Sequence, residues 1–350
     1  MTSAIPSPPL GFAECFAALV ERRDLSETQM RMAMAEVVAG RWGEAETAAL
    51  LTALRMKGET AVEIAAAAAV LREHMIRLET GREDVLDTCG TGGDGAETFN
   101  ISTAAALVAA GAGVPVVKHG NRAASSRSGS ADVLAALGVT VDADTVRARR
   151  CLDRAGLAFC FAPQFHPAMR HVAVLRQRLG VRTLFNCLGP LVNPAAAPYQ
   201  LLGVGRAEWL DPLAGALARL GVRRAFLVHS QDGLDEVSLS APTLVREVCQ
   251  GAVRGLEWSP IDFGLASCTL DDLRVNGPEE SAQAVRGILA GAEGPRTRVV
   301  LANAAAALLA AERVRTLAEG VTVAAEAIAS GRACRVLETL AAVSAASVES

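Results

Sequence analysis

The stretch from Asp87 to Thr103 constrains this 350-residue chain more than any other. It reads Asp-Thr-Cys-Gly-Thr-Gly-Gly-Asp-Gly-Ala-Glu-Thr-Phe-Asn-Ile-Ser-Thr, setting Gly90, Gly92, Gly93 and Gly95 between an apolar, strand-like lead-in and an Ala-rich helix. Glycine lets backbone N–H groups turn inward and approach a ligand without a Cβ in the way. The helix that follows, with its cap expected at Asn100 or Ser102, aims further free N–H groups at the same spot. Such a passage is a cradle for a polyanion, phosphate or pyrophosphate foremost. Glycine-rich loops also make ordinary tight turns. Here Asp94, Thr98, Asn100, Ser102 and Thr103 add polar groups around the glycines and strengthen the ligand reading.

The length allows two domains or one large one. Half the residues are apolar (51%) and few are aromatic (4%), which suits a helix-rich soluble enzyme. A net charge of −4 argues against a general binder of nucleic acid or anionic membranes. No apolar run reaches the roughly 18 residues of a membrane span. The Pro/Ser-rich segment Met1–Leu10 lacks a basic region, so no secretory signal is expected. The eight cysteines are scattered without a CxxC pair, as expected of free thiols in a reducing cytoplasm.

From Gly11 to Leu78 the pattern predicts helices alone. Ser26-Glu27-Thr28-Gln29 and Thr60-Ala61-Val62-Glu63 are capping boxes, opening one helix that stops near Gly40 and another over Ala61–Met75. Between them Glu44–Lys57 carries apolar residues at helical spacing and stops at Gly58. Beyond Val85, β-rich runs alternate with helical ones: Val85–Asp87, Val114–Val117, Val139–Val141, Leu157–Phe161, Ala225–Val228 and Leu244–Val248. That alternation predicts a parallel or mixed α/β sheet, with ligands at the carboxyl ends of its strands. A Pro-rich interlude over Gln164–Pro198 reads as a crossing between domains.

Three further segments carry chemistry. Lys118-His119-Gly120-Asn121-Arg122-Ala123-Ala124-Ser125-Ser126-Arg127-Ser128-Gly129-Ser130 follows a strand and leads into a helix over Ala131–Leu137, capped by Ser128 or Ser130. Its dense donors and cations suit a phosphate-rich ligand, against the plainer reading of a solvated basic loop. Asp232-Gly233-Leu234-Asp235-Glu236-Val237-Ser238 is an acidic turn after a strand. Such pairs are usually only turns, but a bound diphosphate calls for a hard divalent ion such as Mg²⁺. In Arg176–Pro194, Asn186, Gly189, Pro190, Asn193 and Pro194 prescribe turns at a helix end and an inter-domain hinge, and an arginine there can grip an organic carboxylate. His166, His171 and His229 read as packed or surface histidines. His119 stands apart, because its neighbours are candidate ligand contacts.

Taken in order, Cys89–Thr103, Lys118–Ser130, Arg176–Pro194 and Gly233–Ser238 resemble the anthranilate phosphoribosyltransferases of tryptophan biosynthesis over nearly the whole chain, including the late Asn303–Leu308 run. The resemblance implies a small all-α domain joined to a large α/β domain with a mainly parallel central sheet, and an active site in the cleft between them. On this chain the small domain would span 1–80 with a contribution from 168–194, and the large one 81–167 with 195–350. It further implies a homodimer through the helical domain, a cytoplasmic location, and no nucleic-acid or membrane partner.

The implied substrates are 5-phosphoribosyl 1-pyrophosphate and anthranilate. For the first, the matching positions are Gly90, Gly93, Asp94, Thr98, Asn100, Ile101, Ser102 and Thr103, with Lys118, His119, Gly120, Asn121, Arg122, Ala123, Ala124, Ser125, Ser126 and Ser130. Gly90, Asn121 and Arg176 match anthranilate contacts, with Arg176 the partner of its carboxylate, and His119 matches a residue lining the aromatic path. Ser102, Asp235 and Glu236 match the ligands of magnesium, two ions per subunit. Lys118, His119 and Arg176 are the implied catalytic set. Two departures from the family pattern, Leu273–Gly277 and Glu280-Ser281-Ala282, read as peripheral.

A nucleoside phosphorylase of similar architecture is the nearest alternative, and the Asp235-Glu236 and Asn121-Arg122 pairs favour the transferase. A non-catalytic nucleic-acid binder should show basic patches and lost site residues, and this chain shows neither. A plain α/β domain with chance glycine turns would need four coincidences.

Overall fold

A computed structural model describes residues 11–123 and 128–346. The chain opens with four helices and no strand: α1 (Phe12–Val20), α2 (Glu27–Val38), α3 (Glu44–Lys57) and α4 (Ala61–His74). Both expected capping boxes form. Gln29 N–H donates to Ser26 Oγ at 3.3 Å while Ser26 N–H donates to Gln29 Oε1 at 3.0 Å. Glu63 N–H and Thr60 Oγ1 (3.3 Å), with Thr60 N–H and Glu63 Oε2 (2.8 Å), repeat the device on α4. These reciprocal bonds satisfy first-turn donors that have no partner inside the helix.

The remainder builds one seven-stranded sheet in the order β3-β2-β1-β4-β5-β6-β7. Its strands are β1 (Leu86–Gly90), β2 (Val116–Gly120), β3 (Leu157–Phe161), β4 (Tyr199–Gly203), β5 (Arg224–Ser230), β6 (Thr243–Cys249) and β7 (Ala252–Trp258). Strands β1 to β5 run parallel, and β6 and β7 add an antiparallel edge. Helices α5 (Ile101–Gly111), α6 (Ser130–Ala136), α7 (Thr145–Ala155), α8 (Ala162–Phe165), α9 (Arg170–Leu179), α10 (Leu184–Leu188) and α11 (Leu210–Arg219) fill the connections. Four more close the chain: α12 (Pro278–Leu289), α13 (Pro295–Ala310), α14 (Leu317–Ala329) and α15 (Arg332–Ala345).

Successive side chains of a strand face opposite ways, and two cores result. Leu201, Phe226 and Val228 join α5, α13 and α15 on one side. Leu202, Leu227 and Cys89 join α1 to α4, α9, α10 and α11 on the other. Strand order reverses at the β1–β4 seam, so the two flanking connections diverge and leave a crevice at the strands' carboxyl ends. Among the described residues no helix is long and apolar enough to cross a membrane.

One expected strand does not form, and two strands form that the pattern does not predict. Val139–Val141 is not a strand, because Val139 N–H closes the end of α6 on Leu134 O and Thr140 N–H donates to Ser344 Oγ. With those donors committed, no ladder forms. The Pro-rich interlude gives way at its end to β4, a central strand whose five residues are all buried. Its polar Gln200 hides the pattern: the side chain is buried and donates to Pro190 O at 2.6 Å. The edge strand β7 is largely exposed and carries no apolar run to announce it.

Candidate active site

The glycine loop turns on the end of β1 with Gly92, Gly93 and Gly95 at φ of 65°, 78° and 72°, a region where a Cβ is strained. Thr91 N–H donates to Gly203 O at 2.9 Å and Gly205 N–H to Thr91 Oγ1 at 2.9 Å, so the loop is stitched to β4. Asn100, rather than Ser102, caps α5, its Oδ1 accepting Thr103 N–H at 3.0 Å. Asn100 N–H in turn donates to Ser281 Oγ at 2.9 Å. The loop also pairs with the chain near residue 274: Phe99 N–H donates to Leu273 O and Val275 N–H to Glu97 O, each at 3.0 Å. The two departures from the family pattern are therefore not peripheral but brace the cradle. The contacts at 273–275 are backbone ones, which a changed side chain leaves intact.

Lys118, near the end of β2, is buried, and its ammonium donates to Thr88 O and, at 3.1 Å, to Ser102 Oγ. Burial pulls its pKa below the usual value, against the opposing pull of Asp87 and Glu236. Asp87 lies fully buried behind the site and accepts His119 N–H at 3.3 Å. Burial raises its pKa to about 6. His119 Nδ1 sits 3.0 Å from Gly189 O, so the ring proton belongs there and Nε2 keeps its lone pair, buried and without a partner among the described residues. Burial lowers the His119 pKa to about 3 and the His166 pKa to about 4. The two neutral rings lie 5.0 Å apart.

The acidic turn follows β5. Asp235 Oδ2 accepts Gly92 N–H at 3.1 Å, joining this turn to the glycine loop. Burial pushes the Asp235 pKa to about 8, reinforced by Asp94, and lifts Glu236 well above its usual range, reinforced by Asp235. Asn303, fully buried on α13, fixes the turn by accepting Val237 N–H at 3.0 Å and donating to Val237 O at 2.9 Å. Asp232 faces away from the crevice chemistry: its carboxylate takes the hydroxyls of Ser238 and Ser240 and serves as a turn residue only.

These elements enclose a polar cavity of about 300 Å³. Gly90, Gly93, Asp94, Thr98, Asn100, Ile101 and Ser102 line it from one side, and Lys118, His119, Gly120, Asn121, Arg122, Ala123 and Ser130 from the other, with Asp235 and Glu236 at the base. Thr103 lies buried behind this wall. Ala124, Ser125 and Ser126 lie outside the described residues. Neither Ser128 nor Ser130 caps α6; the cap is Gly129, whose N–H donates to Asp132 Oδ2 at 3.2 Å. Arg122 is engaged by Asp132 at 3.0 Å.

A second cavity of about 500 Å³ adjoins it, sharing Gly90, His119 and Asn121. Its walls include Leu71, Pro163, His166, Pro167, Met169, Phe185 and Val192. Arg176, on α9, lines it with its guanidinium over the Phe185 ring at 5.5 Å and with no hydrogen bond to any described residue. Arg176 thus lies across the crevice from the polar cradle. Sequence reasoning passed over His166, Arg182 and Thr91. Asn186 is not a turn residue but opens α10, its Oδ1 accepting Thr183 N–H at 2.9 Å. Asn193 does turn the chain, accepting Ala195 N–H at 2.8 Å, and ties the linker to Val117 O of β2 at 2.8 Å.

The donor set fits magnesium. Two carboxylates buried side by side with a third acid close by need a cation to offset their repulsion. Among the described residues no three His, Cys, Asp or Glu side chains converge into a cage. Mg²⁺ keeps waters and shares substrate phosphates instead of taking an all-protein shell, so Ser102, Asp235 and Glu236 would suffice to hold it.

Residues 13–75 match the helical bundle domain of the glycosyl transferase family, and residues 82–334 match its α/β domain. An anthranilate phosphoribosyltransferase of Symbiobacterium thermophilum is 52% identical over 322 residues, covering 92% of this chain and 94% of that protein. The chain belongs to the anthranilate phosphoribosyltransferase family. Its fold is that of the Thermus thermophilus enzyme, with a TM-score of 0.89 at 45% identity over 95% of this chain and 99% of the other. The Saccharomyces cerevisiae enzyme in complex with PRPP and Mg matches equally well in shape, with a TM-score of 0.89 at 30% identity over 96% and 98%.

Proposed function

We propose that this chain transfers the phosphoribosyl group of 5-phosphoribosyl 1-pyrophosphate to the amino group of anthranilate, giving N-(5-phosphoribosyl)anthranilate and pyrophosphate, the second step of tryptophan synthesis from chorismate. The observation that carries this reading is the meeting of two unlike cavities at Gly90, His119 and Asn121. One offers inward N–H groups, a lysine and an acidic turn, as a diphosphate requires. The other offers apolar walls and two helix guanidinium groups, Arg170 and Arg176, without hydrogen bonds to any described residue, of which Arg176 lies over the Phe185 ring, as an aromatic carboxylate requires.

In this assignment Gly90, Gly93, Asp94, Thr98 and Asn100 to Thr103 hold the diphosphate substrate from the β1 side. Lys118 to Ala123 and Ser130 hold it from the β2 side. Ser102, Asp235 and Glu236 hold two magnesium ions per subunit. When bound, Mg²⁺ neutralises charge on the departing pyrophosphate. Lys118 and the loop N–H groups meet the same developing charge from fixed positions, at no cost of reorganisation. Arg176 grips the anthranilate carboxylate and so aims the amine at C1. The amine nitrogen bonds to C1 as the C1–O bond breaks, and the electron pair leaves with pyrophosphate. An aromatic amine is neutral near pH 7, so it sheds its proton only after attack, to solvent or to the departing pyrophosphate. Neutral His119, with its free Nε2 lone pair, lines the path without adding a positive charge near an oxocarbenium-like centre.

The helical residues 1–80 with 168–194 act as a small domain closing over an α/β domain of 81–167 and 195–350, which brings amine and C1 into line. Exposed Val20 and Met56 beside the α1–α3 groove support a homodimer through this domain. The free thiols suit the cytoplasm. Loss of anthranilate fluorescence on adding phosphoribosyl pyrophosphate, required to depend on Mg²⁺, tests the activity. Phosphate-dependent release of a free base from a nucleoside would decide for a phosphorylase instead.

A further inference from the structure

Arg182 takes no part in the steps above, yet it touches the diphosphate cradle from the opposite side of the crevice. It lies in the linker between α9 and α10, where Gly180 turns the chain with φ 64°. Its Nη2 donates to Thr91 O at 2.8 Å. Its guanidinium lies over the Trp209 ring at 5.3 Å, and Arg55 of α3 lies over the same ring at 5.9 Å. Gly93 completes the fit, because a Cβ there would fall inside the Arg182 guanidinium.

Other hydrogen bonds of the loop run within it, to the sheet side, or to Leu273, Val275 and Ser281, and none of these reaches the linker between α9 and α10. Thr91 bonds Gly203 and Gly205, Gly92 bonds Asp235, and Asp94 accepts Asp235 N–H at 3.4 Å. Arg182 is thus the tie from the linker of the α9–α10 side to the glycine loop. Six residues upstream, the same segment carries Arg176 over the acceptor cavity.

We propose that Arg182 is a positioning residue, tying the Thr91–Gly93 backbone to the linker with a guanidinium braced on Trp209, so that the loop is set for the diphosphate. The clamp is geometric: a planar fork stacked on an indole and bonded to one carbonyl, which a lysine ammonium does not reproduce. It also makes the shape of the cradle depend on where α9 and its linker lie. This inference rests on the transferase reading above.

The test compares the full-length wild type with R182Q and R182K. Each is assayed for both substrates in the presence of Mg²⁺, with melting temperature and ligand-free hydrogen exchange measured alongside. R182Q should raise the KM for phosphoribosyl pyrophosphate about tenfold and leave that for anthranilate within about twofold, since only the loop is released. R182K should be no better than R182Q. Exchange in the peptide spanning 90–99 should quicken in both variants, while peptides from α3 and α11 keep their rates. Unchanged exchange with an unchanged KM overturns the clamp, and so does full recovery in R182K, which would reduce the role to charge. A wild type without transferase activity would sink the functional reading, while the exchange comparison still decides whether the clamp exists.

Discussion

The diphosphate cradle is made of loops continuous in sequence, each following one strand end, and its chemistry is largely backbone N–H. The acceptor cavity is made of side chains gathered from Leu71, the α8–α9 corner and the linker after α10, scattered over more than a hundred residues. The first kind of site announces itself, because glycine, hydroxyl and carboxylate must be adjacent in the chain for the loop to work. The second shows only after folding. Its walls are mostly ordinary apolar residues, and the helix cations among them, Arg170 and Arg176, form no motif.

That contrast explains what was readable beforehand. Helices α2 to α4, the parallel sheet, the glycine loop and the acidic turn each rest on a local rule, a capping box, a helical spacing or a strand followed by a turn. What escaped rests on partners far away in sequence. Gln200 disguises β4 because its buried amide is satisfied by Pro190, a pairing no periodicity reveals. His166 looked like a packing residue and does pack, but against His119 on the cavity wall. Arg182 carried no motif of its own, and its meaning comes from Thr91 and Trp209. Ser281 looked peripheral until Asn100 N–H was found bonded to it.

If the polar half does the pyrophosphate chemistry, its acidic turn should matter most. Replacing Asp235 and Glu236 together by Ala should lower magnesium-dependent turnover about 10³-fold or more, because the charge on the leaving group is no longer met. Turnover near the wild-type rate would remove the turn from the reaction. Ser281→Ala leaves Asn100 N–H without its acceptor and should loosen the α5 cap. The KM for phosphoribosyl pyrophosphate is expected to rise about threefold, and that for anthranilate to stay put. An equal rise for both substrates would mean that the bond serves the fold and not the cradle.

The smallest effect concerns the acceptor half and is read as stability against pH. Unfolded His166 takes up a proton below about 6.5, whereas the folded residue does so only near pH 4. Between those values the unfolded chain binds more protons, so stability falls as the pH drops through the window. His166→Gln should therefore lose less melting temperature between pH 7 and pH 5 than the wild type does. Parallel curves for the two proteins would show that the buried ring contributes nothing to the acid limb.

The division of labour between the two halves is tested most directly by Arg176→Ala, with both Michaelis constants measured at saturating Mg²⁺. Loss of the unpaired guanidinium should raise the KM for anthranilate roughly tenfold or more, as expected for a lost charge-assisted contact to a carboxylate, while that for phosphoribosyl pyrophosphate hardly moves. A selective rise for the diphosphate substrate instead would place Arg176 with the cradle and contradict the assignment of the apolar cavity to anthranilate.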